Sequence, residues 1–338
     1  MAIREDVLRH AALLTLERYP LLAESGKYKV GYLHKTICVE AEDTLCDTKG
    51  LTVFMNALLC RYVEVLNYPI SKGEQLFKDI SSVPHEADSE DAFVLLDDIP
   101  SNKPVWYMQA HAFHAPVGEG DQDCVTQIRI PLEDKHGKPK MVINTDLIHY
   151  LAPLMSEAVR SKYDQVIPAG EYVVGKFQID LRPFFHSATL RPYKTPVYLA
   201  YNRSLGSYPS DTVFLSQKKL LDAQLKKDTL AWSAQCKIKG NDEDDLATYN
   251  VESGGIIHLP ESLARYVTDY FCVSSPNSLG FNLSLLKYNN VLTISITHKQ
   301  SDSDICWSLM NLLRQYDFPA YISDEYICRP MEDAYKMI

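Results

Sequence analysis

Residues 36–66 constrain the fold most, because a strand-like run and a helical run meet there across a short polar stretch. Residues 36–40 are rich in β-branched and apolar side chains, which predicts a strand. From residue 51 to residue 66 apolar residues recur at helical spacing, which predicts an amphipathic helix. The acidic stretch between them is predicted to be a loop. A strand, a short loop and a long helix in succession indicate an α/β or α+β protein.

The remainder of the chain alternates between the same two patterns. Helical spacing predicts further helices over residues 3–19, 144–163, 212–236 and 304–316. Runs of β-branched and aromatic residues predict strands over residues 172–179, 197–201, 279–288 and 291–297. Residues 167–170 are the expected boundary between two lobes, residues 1–166 and 167–338, each with a mixed sheet.

Composition narrows the functional classes. The 338 residues are 46% hydrophobic, which is enough for a large core in two lobes. The formal net charge of −10 argues against nucleic-acid binding, which needs a basic face. No apolar run approaches the roughly 18 residues of a membrane span, and the N-terminus lacks a signal-peptide core. We therefore expect a cytoplasmic protein with no membrane partner.

Metal binding is not expected from the cysteines or from the paired histidines. No two of the 8 cysteines are spaced as CxxC. His111 and His114 lie three apart in a strand-like stretch, which places them on opposite faces. The simplest interpretation is a set of free thiols and structural histidines.

Two carboxylates in the acidic loop and one histidine are candidate catalytic groups. Asp43 and Asp47 lie four residues apart before the helix, where they could act as a base and its partner. The alternative is structural: Asp47 caps the helix, and Asp43 is simply exposed. His298 and Asp302 form a literal HxxxD at the end of a strand, although Asp302 is also a good helix-capping residue.

A turn rich in aromatic residues contains the candidate binding groups. Arg182 and Arg191 flank Phe184 and Phe185, and Tyr193 follows them. Two arginines in such a turn could bind a phosphate or a carboxylate. They could equally fix the turn by donating to backbone carbonyl groups.

The order of these segments resembles the chloramphenicol acetyltransferase-like superfamily, and most closely its alcohol acetyltransferase-like branch. That superfamily includes the condensation domains of peptide synthetases. The resemblance lies in residues 4–8 and 16–20, 36–40, 47–58, 181–191, and 279–316. It covers most of residues 3–66 and 171–323, and its basis is the ordered succession rather than any single motif.

The resemblance implies a two-lobe α/β sandwich with a cleft or tunnel between the lobes. Acyl-CoA or an acyl-carrier protein would enter at one side, and an alcohol or amine acceptor at the other. In the family, the histidine of an HxxxD motif takes the acceptor's proton and the aspartate holds the local structure. Asp47 matches that aspartate, whereas Asp43 occupies the histidine position, so the motif is degenerate.

The expected function is therefore that of a diverged acyltransferase-fold protein without histidine-based acyl transfer, which keeps a ligand- or partner-binding role. An aspartate has a reference pKa of about 3.9 and is a weak base toward an alcohol unless burial raises that pKa. Two alternatives stay open: an active O- or N-acyltransferase whose base is His298, His34 or Asp43, and a structural or assembly protein. No resident cofactor is expected, because acyl-CoA would be a substrate.

Overall fold

The computed structural model describes residues 2–25, 27–70, 83–97, 99, 111–116, 120–133, 146–201, 210–238, 247–276 and 279–338. The α-helices are α1 (Glu5–Arg18), α2 (Pro20–Ser25), α3 (Thr48–Val65), α4 (Asp146–Tyr163), α5 (Arg182–Phe185), α6 (Asp211–Gln224), α7 (Lys227–Ile238), α8 (Glu261–Ala264), α9 (Ser303–Gln315) and α10 (Met331–Ala334). The strands are β1 (Tyr28–Leu33), β2 (Thr36–Ala41), β3 (Asp123–Pro131), β4 (Val173–Asp180), β5 (Lys194–Tyr201), β6 (Tyr249–Ile256), β7 (Phe281–Tyr288), β8 (Val291–Lys299), β9 (Tyr321–Ile327) and β10 (Lys336–Met337). Short 3₁₀ helices cover Glu86–Asp88, Ala92–Leu96 and Gln300–Asp302.

A seven-stranded mixed sheet with the order β5-β4-β6-β7-β8-β3-β9 forms the centre. β6 runs parallel to β4 and β7, and the other neighbouring pairs are antiparallel. β7 and β8, at the two strands predicted over residues 279–288 and 291–297, form a hairpin in which Asn289 and Asn290 have φ angles of 45° and 58°. Positive φ at both central residues is typical of a type I′ turn, whose twist matches that of paired strands.

The two faces of this sheet differ in character. α4, α6, α7 and α9 pack over one face, and alternate strand residues such as Phe177, Val251 and Ile294 point into that core. The intervening residues lie on the opposite face, among them the buried polar residues Glu252 and Asn282. α3 contacts β6, and it does so from this second face.

A smaller antiparallel sheet, with the order β10-β1-β2, packs with α1 and α3. Val30 on β1 and Val39 on β2 are directly paired and point into a second core that contains Leu8, Phe54 and Leu58. The last strand, β10, pairs with β1, so the C-terminal residues return to the N-terminal sheet.

The structure confirms the predicted mixture of helices and strands, with one helix divided. Residues 212–236 were expected to form one helix, but α6 and α7 are separated at residues 225 and 226. The helix predicted from residue 144 begins at Asp146, and residues 144 and 145 lie outside the described residues.

The sheets do not divide at residue 166. β3 and α4 both precede that residue, yet they belong to the seven-stranded sheet and its core. The lobe limits of 1–166 and 167–338 therefore stay a prediction. No helix in the described residues is long and apolar enough to cross a membrane.

Candidate functional site

Asp47 lies at the N-terminus of α3 and is saturated with hydrogen bonds. Its Oδ1 accepts from the backbone N–H of Gly50 (2.9 Å) and from Arg182 Nη2 (3.0 Å). Its Oδ2 accepts from Arg182 Nη1 (3.0 Å) and from the backbone N–H of Tyr193 (3.0 Å). The side chain is 3% exposed. Asp47 thus caps α3 and ties it to the turn that precedes β5.

Arg182 uses each of its five N–H groups on protein acceptors. Besides the two bonds to Asp47, it donates to Asp180 Oδ1 (2.8 Å) and to the backbone oxygens of Thr189 (2.7 Å) and Arg191 (2.9 Å). A guanidinium has five N–H donors and no acceptor. A ligand could bind Arg182 only by displacing one of these partners, so its contacts fix the turn.

Arg191 is exposed and is only partly engaged. Its Nε donates to the backbone oxygen of Ser89 (2.7 Å), and its Nη groups make no hydrogen bond to the described residues. Ser89 belongs to the described segment of residues 83–97. In the structure that segment packs on the turn, since Thr189 Oγ1 donates to the backbone oxygen of Glu90 (2.8 Å) and the Leu190 N–H donates to that of Asp88 (2.8 Å).

Tyr193 is fully buried, and its hydroxyl has no hydrogen-bond partner among the described residues. The ring packs edge-on against Phe93, with centroids 5.2 Å apart. Burial raises the pKa of Tyr193 to about 12. The side chain of Tyr193 is therefore a neutral phenol inside the main core. The part of Tyr193 that contacts Asp47 is its backbone N–H, which donates to the carboxylate.

Asp43 is exposed in the loop before α3, as one of the two sequence interpretations expected. Its negative charge also affects the pKa of Lys194. Burial lowers that pKa, but the carboxylates of Glu252 and Asp43 together raise it by more, so the net shift is upward. The neighbouring thiol of Cys46 is inert, because burial and the carboxylates of Asp47 and Asp43 raise its pKa to about 12.

Directly behind this loop lies a buried ion pair that sequence reasoning missed. Lys194 Nζ is 2.8 Å from Glu252 Oε1, with the two side chains 12% and 8% exposed. The same Oε1 accepts from the backbone N–H of Thr48 (3.2 Å), so Glu252 also serves the N-terminus of α3. The partners are 58 residues apart in sequence, and only the sheet order could have placed them together.

His298 is far from being a free base. Its Nδ1 lies 2.6 Å from the backbone oxygen of Lys299, which can only accept, so Nδ1 carries the proton. Nε2 then accepts from Thr126 Oγ1 at 2.8 Å. Asp302 accepts instead from Lys162 Nζ (2.9 Å) and the Tyr163 hydroxyl (2.5 Å). The literal HxxxD therefore forms two separate structural contacts.

The structure brings three of the six predicted site residues together. Asp47, Arg182 and Tyr193 form one hydrogen-bonded unit at the N-terminus of α3. Asp43 is exposed in the loop that precedes Asp47, and the backbone oxygen of Arg191 accepts a hydrogen bond from Arg182. In the described residues, no group of three or more potential metal ligands is present.

Comparison with known proteins identifies the fold. No family model and no curated protein matches the chain. Polyketide synthase associated protein 5 from Mycobacterium tuberculosis is 12% identical, with a TM-score of 0.57 over 92% of this chain and 90% of the other. The epimerization domain from the third module of tyrocidine synthetase B is 10% identical, with a TM-score of 0.50 over 92% and 88%.

A structure solved with coenzyme A bound is also similar. The TRI101 protein of F. sporotrichioides, complexed with coenzyme A and T-2, is 12% identical, with a TM-score of 0.52. That match covers 85% of this chain but only 66% of TRI101. At these identities the likeness concerns the fold alone. The chain has the two-lobe chloramphenicol acetyltransferase-like fold, which these structures share.

Proposed function

We propose that the protein binds an acyl-CoA thioester on an acyltransferase scaffold and does not catalyse histidine-based acyl transfer. The observation that carries the proposal is the loop before α3. It keeps the structural aspartate, Asp47, with its arginine partner, and has an exposed aspartate at position 43. A family member that relied on this loop for a base would need an imidazole there.

Neither His298 nor His34 is suitably placed to act as the base in place of a histidine in this loop. His298 is 1% exposed and both ring nitrogens are engaged. His34 lies in the turn between β1 and β2, at the opposite end of a six-residue strand from the loop. At roughly 3.3 Å per residue, that strand separates His34 from the loop by about 20 Å.

Acyl-CoA is the ligand we favour because the fold is that of TRI101, which was solved with coenzyme A bound. A carrier-bound acyl group is the alternative form of the same thioester. Arg191, whose Nη groups make no hydrogen bond to the described residues, is the residue we assign to the phosphate groups of the ligand.

Binding and turnover can be measured separately. A panel of acyl-CoA thioesters of increasing chain length would be tested for thermal stabilisation of the protein and for release of the free thiol. We expect stabilisation by at least one thioester and thiol release no faster than in buffer. Arg191→Gln should weaken the stabilisation, whereas Lys219→Gln, an exposed change on α6, should not.

One observation favours an active enzyme as the second candidate. Glu252 is a buried carboxylate beside the loop, and its Oε2 makes no hydrogen bond to the described residues. If Glu252 were the base, wild-type protein would release thiol, and Glu252→Gln would abolish that release while keeping thioester binding. Asp43→Asn and the control Glu42→Gln would distinguish a base at Asp43 from a general effect of the loop.

A further inference from the structure

The edge strands of the two sheets differ in whether other parts of the chain cover or protect them. An edge strand presents unpaired N–H and C=O groups that can pair with another strand. β5 and β9 are the edges of the large sheet, and β2 and the two-residue β10 are the edges of the small one. The three longer edges, β5, β9 and β2, differ in how far they are protected from such pairing.

The β5 edge is closed by side chains from α6 and α7. The amide of Gln224 donates to the backbone oxygen of Tyr198 (2.7 Å) and accepts from its N–H (2.9 Å). Gln217 donates to the backbone oxygen of Ala200 (3.3 Å), and Ser233 donates to that of Pro196 (2.9 Å). A strand from another chain would have to displace all of these bonds.

The β9 edge is protected in another way. Its register with β3 shifts between Gln127 and Ile128, so β9 carries an irregularity of the bulge type. Asp324 and Glu325 follow that shift in the strand. Two copies of β9 would bring these carboxylates together, and both bulges and like charges on an edge oppose pairing.

The β2 edge has neither form of protection. β1 and β2 are joined by a two-residue turn, and the Glu42 N–H donates to the backbone oxygen of Lys27 (3.1 Å), which continues the β1–β2 ladder. Residues 36, 38, 40 and 42 therefore direct their backbone groups to β1. The alternate residues Ile37, Val39 and Ala41 direct theirs outward, and no described residue pairs with them.

We propose that β2 pairs in antiparallel fashion with β2 of a second copy of this chain, with Val39 opposite Val39 of the other copy. In this register Ile37 lies opposite Ala41, so each outward N–H and C=O meets an outward partner. It also keeps Ile37, Val39 and Ala41 of both copies on the core side of one continuous sheet. A slip of one residue would turn these side chains to the wrong face.

Charge complementarity supports this register. Lys35 and Asp43 are both exposed, and neither forms an ion pair with a described residue. With Val39 on the twofold axis, Lys35 of each copy lies opposite Asp43 of the other. A register centred on Cys38 would place Lys35 opposite Ala41 and would leave both charges without partners.

The oligomeric state of the full chain tests the proposal. Sedimentation equilibrium from about 1 µM to about 1 mM spans the affinities of small interfaces. We expect a monomer–dimer equilibrium whose dimer is weakened at least tenfold by Lys35→Glu and by Asp43→Lys alone. The double variant Lys35→Glu/Asp43→Lys should restore it, because the opposite charges again face each other. Lys219→Glu, the same charge change on α6, should leave it unchanged.

Cross-linking tests the register independently of charge. Val39→Cys should give a covalent dimer under mild oxidation, with a peptide that joins the two new cysteines. A wild-type chain that stays monomeric throughout the range would overturn the proposal, and so would a dimer that ignores the charge exchange. A link through Cys38 in place of residue 39 would overturn the register.

Discussion

The two Nη groups of Arg182 donate hydrogen bonds to the two carboxylate oxygens of Asp47, each at 3.0 Å, although the two residues are 135 positions apart in sequence. This bidentate pair fixes the N-terminus of α3 against the turn before β5, next to the loop that contains Asp43. The proposed loss of histidine-based chemistry therefore coincides with an intact supporting structure. Stability and ligand binding can be tested apart from catalysis.

Arg182→Lys should destabilise the fold by about 3–5 kcal/mol, because it breaks a buried bidentate pair and leaves Asp47 short of donors. The midpoint of urea unfolding measures this loss. Lys27→Ala, which removes an exposed ion pair with Glu42, should change the midpoint little. Equal losses in both variants would contradict the importance assigned to the buried pair.

Gly50→Ala should also destabilise the fold, by about 1–3 kcal/mol. A Cβ at residue 50 would lie 2.3 Å from the backbone oxygen of Leu190, so α3 and the turn would have to move apart. Gly280 is the matched control, because its Cβ would meet Ala115 at an ordinary 3.4 Å. In thermal unfolding, the midpoint temperature of Gly50→Ala should be far below that of Gly280→Ala.

The ion pair of Lys194 and Glu252 should behave as a coupled unit. Lys194→Met alone leaves a buried carboxylate unpaired and should cost about 3–5 kcal/mol. The double variant Lys194→Met/Glu252→Leu should cost less than the sum of the two single changes, as a double-mutant cycle in urea will show. Additive losses would mean that the two side chains do not stabilise each other.

His298 should make folding stability depend on pH. Burial lowers its pKa below the ordinary value of 6.5, so the unfolded chain binds the proton more readily than the folded one. Stability should therefore fall as the pH drops below about 6.5, until the folded state is protonated too. His298→Gln should flatten this part of the profile. His10→Gln, at an exposed position, should keep the wild-type slope.

Sequence patterns predicted the elements well but the long-range contacts poorly. The cap by Asp47 was foreseen as one alternative, since capping depends on residues close in sequence. Donation by Arg182 to backbone carbonyl groups of the turn was also foreseen as one alternative. Its pairing with Asp47 was not foreseen, because the two residues are 135 positions apart in sequence. Lys194 and Glu252 carried no local signal, since their pairing depends on the order of β5, β4 and β6 in the sheet.

The most direct test of the central proposal is the fate of an acyl-CoA held by the protein. The thioester that stabilises the protein most would be incubated with an excess of protein and an alcohol or amine acceptor. The recovered thioester would then be identified and quantified by mass spectrometry. We predict that it is recovered intact, in the same yield as from buffer. Conversion to free CoA and acylated acceptor by the wild type, lost in Asp43→Asn or Glu252→Gln, would contradict the account.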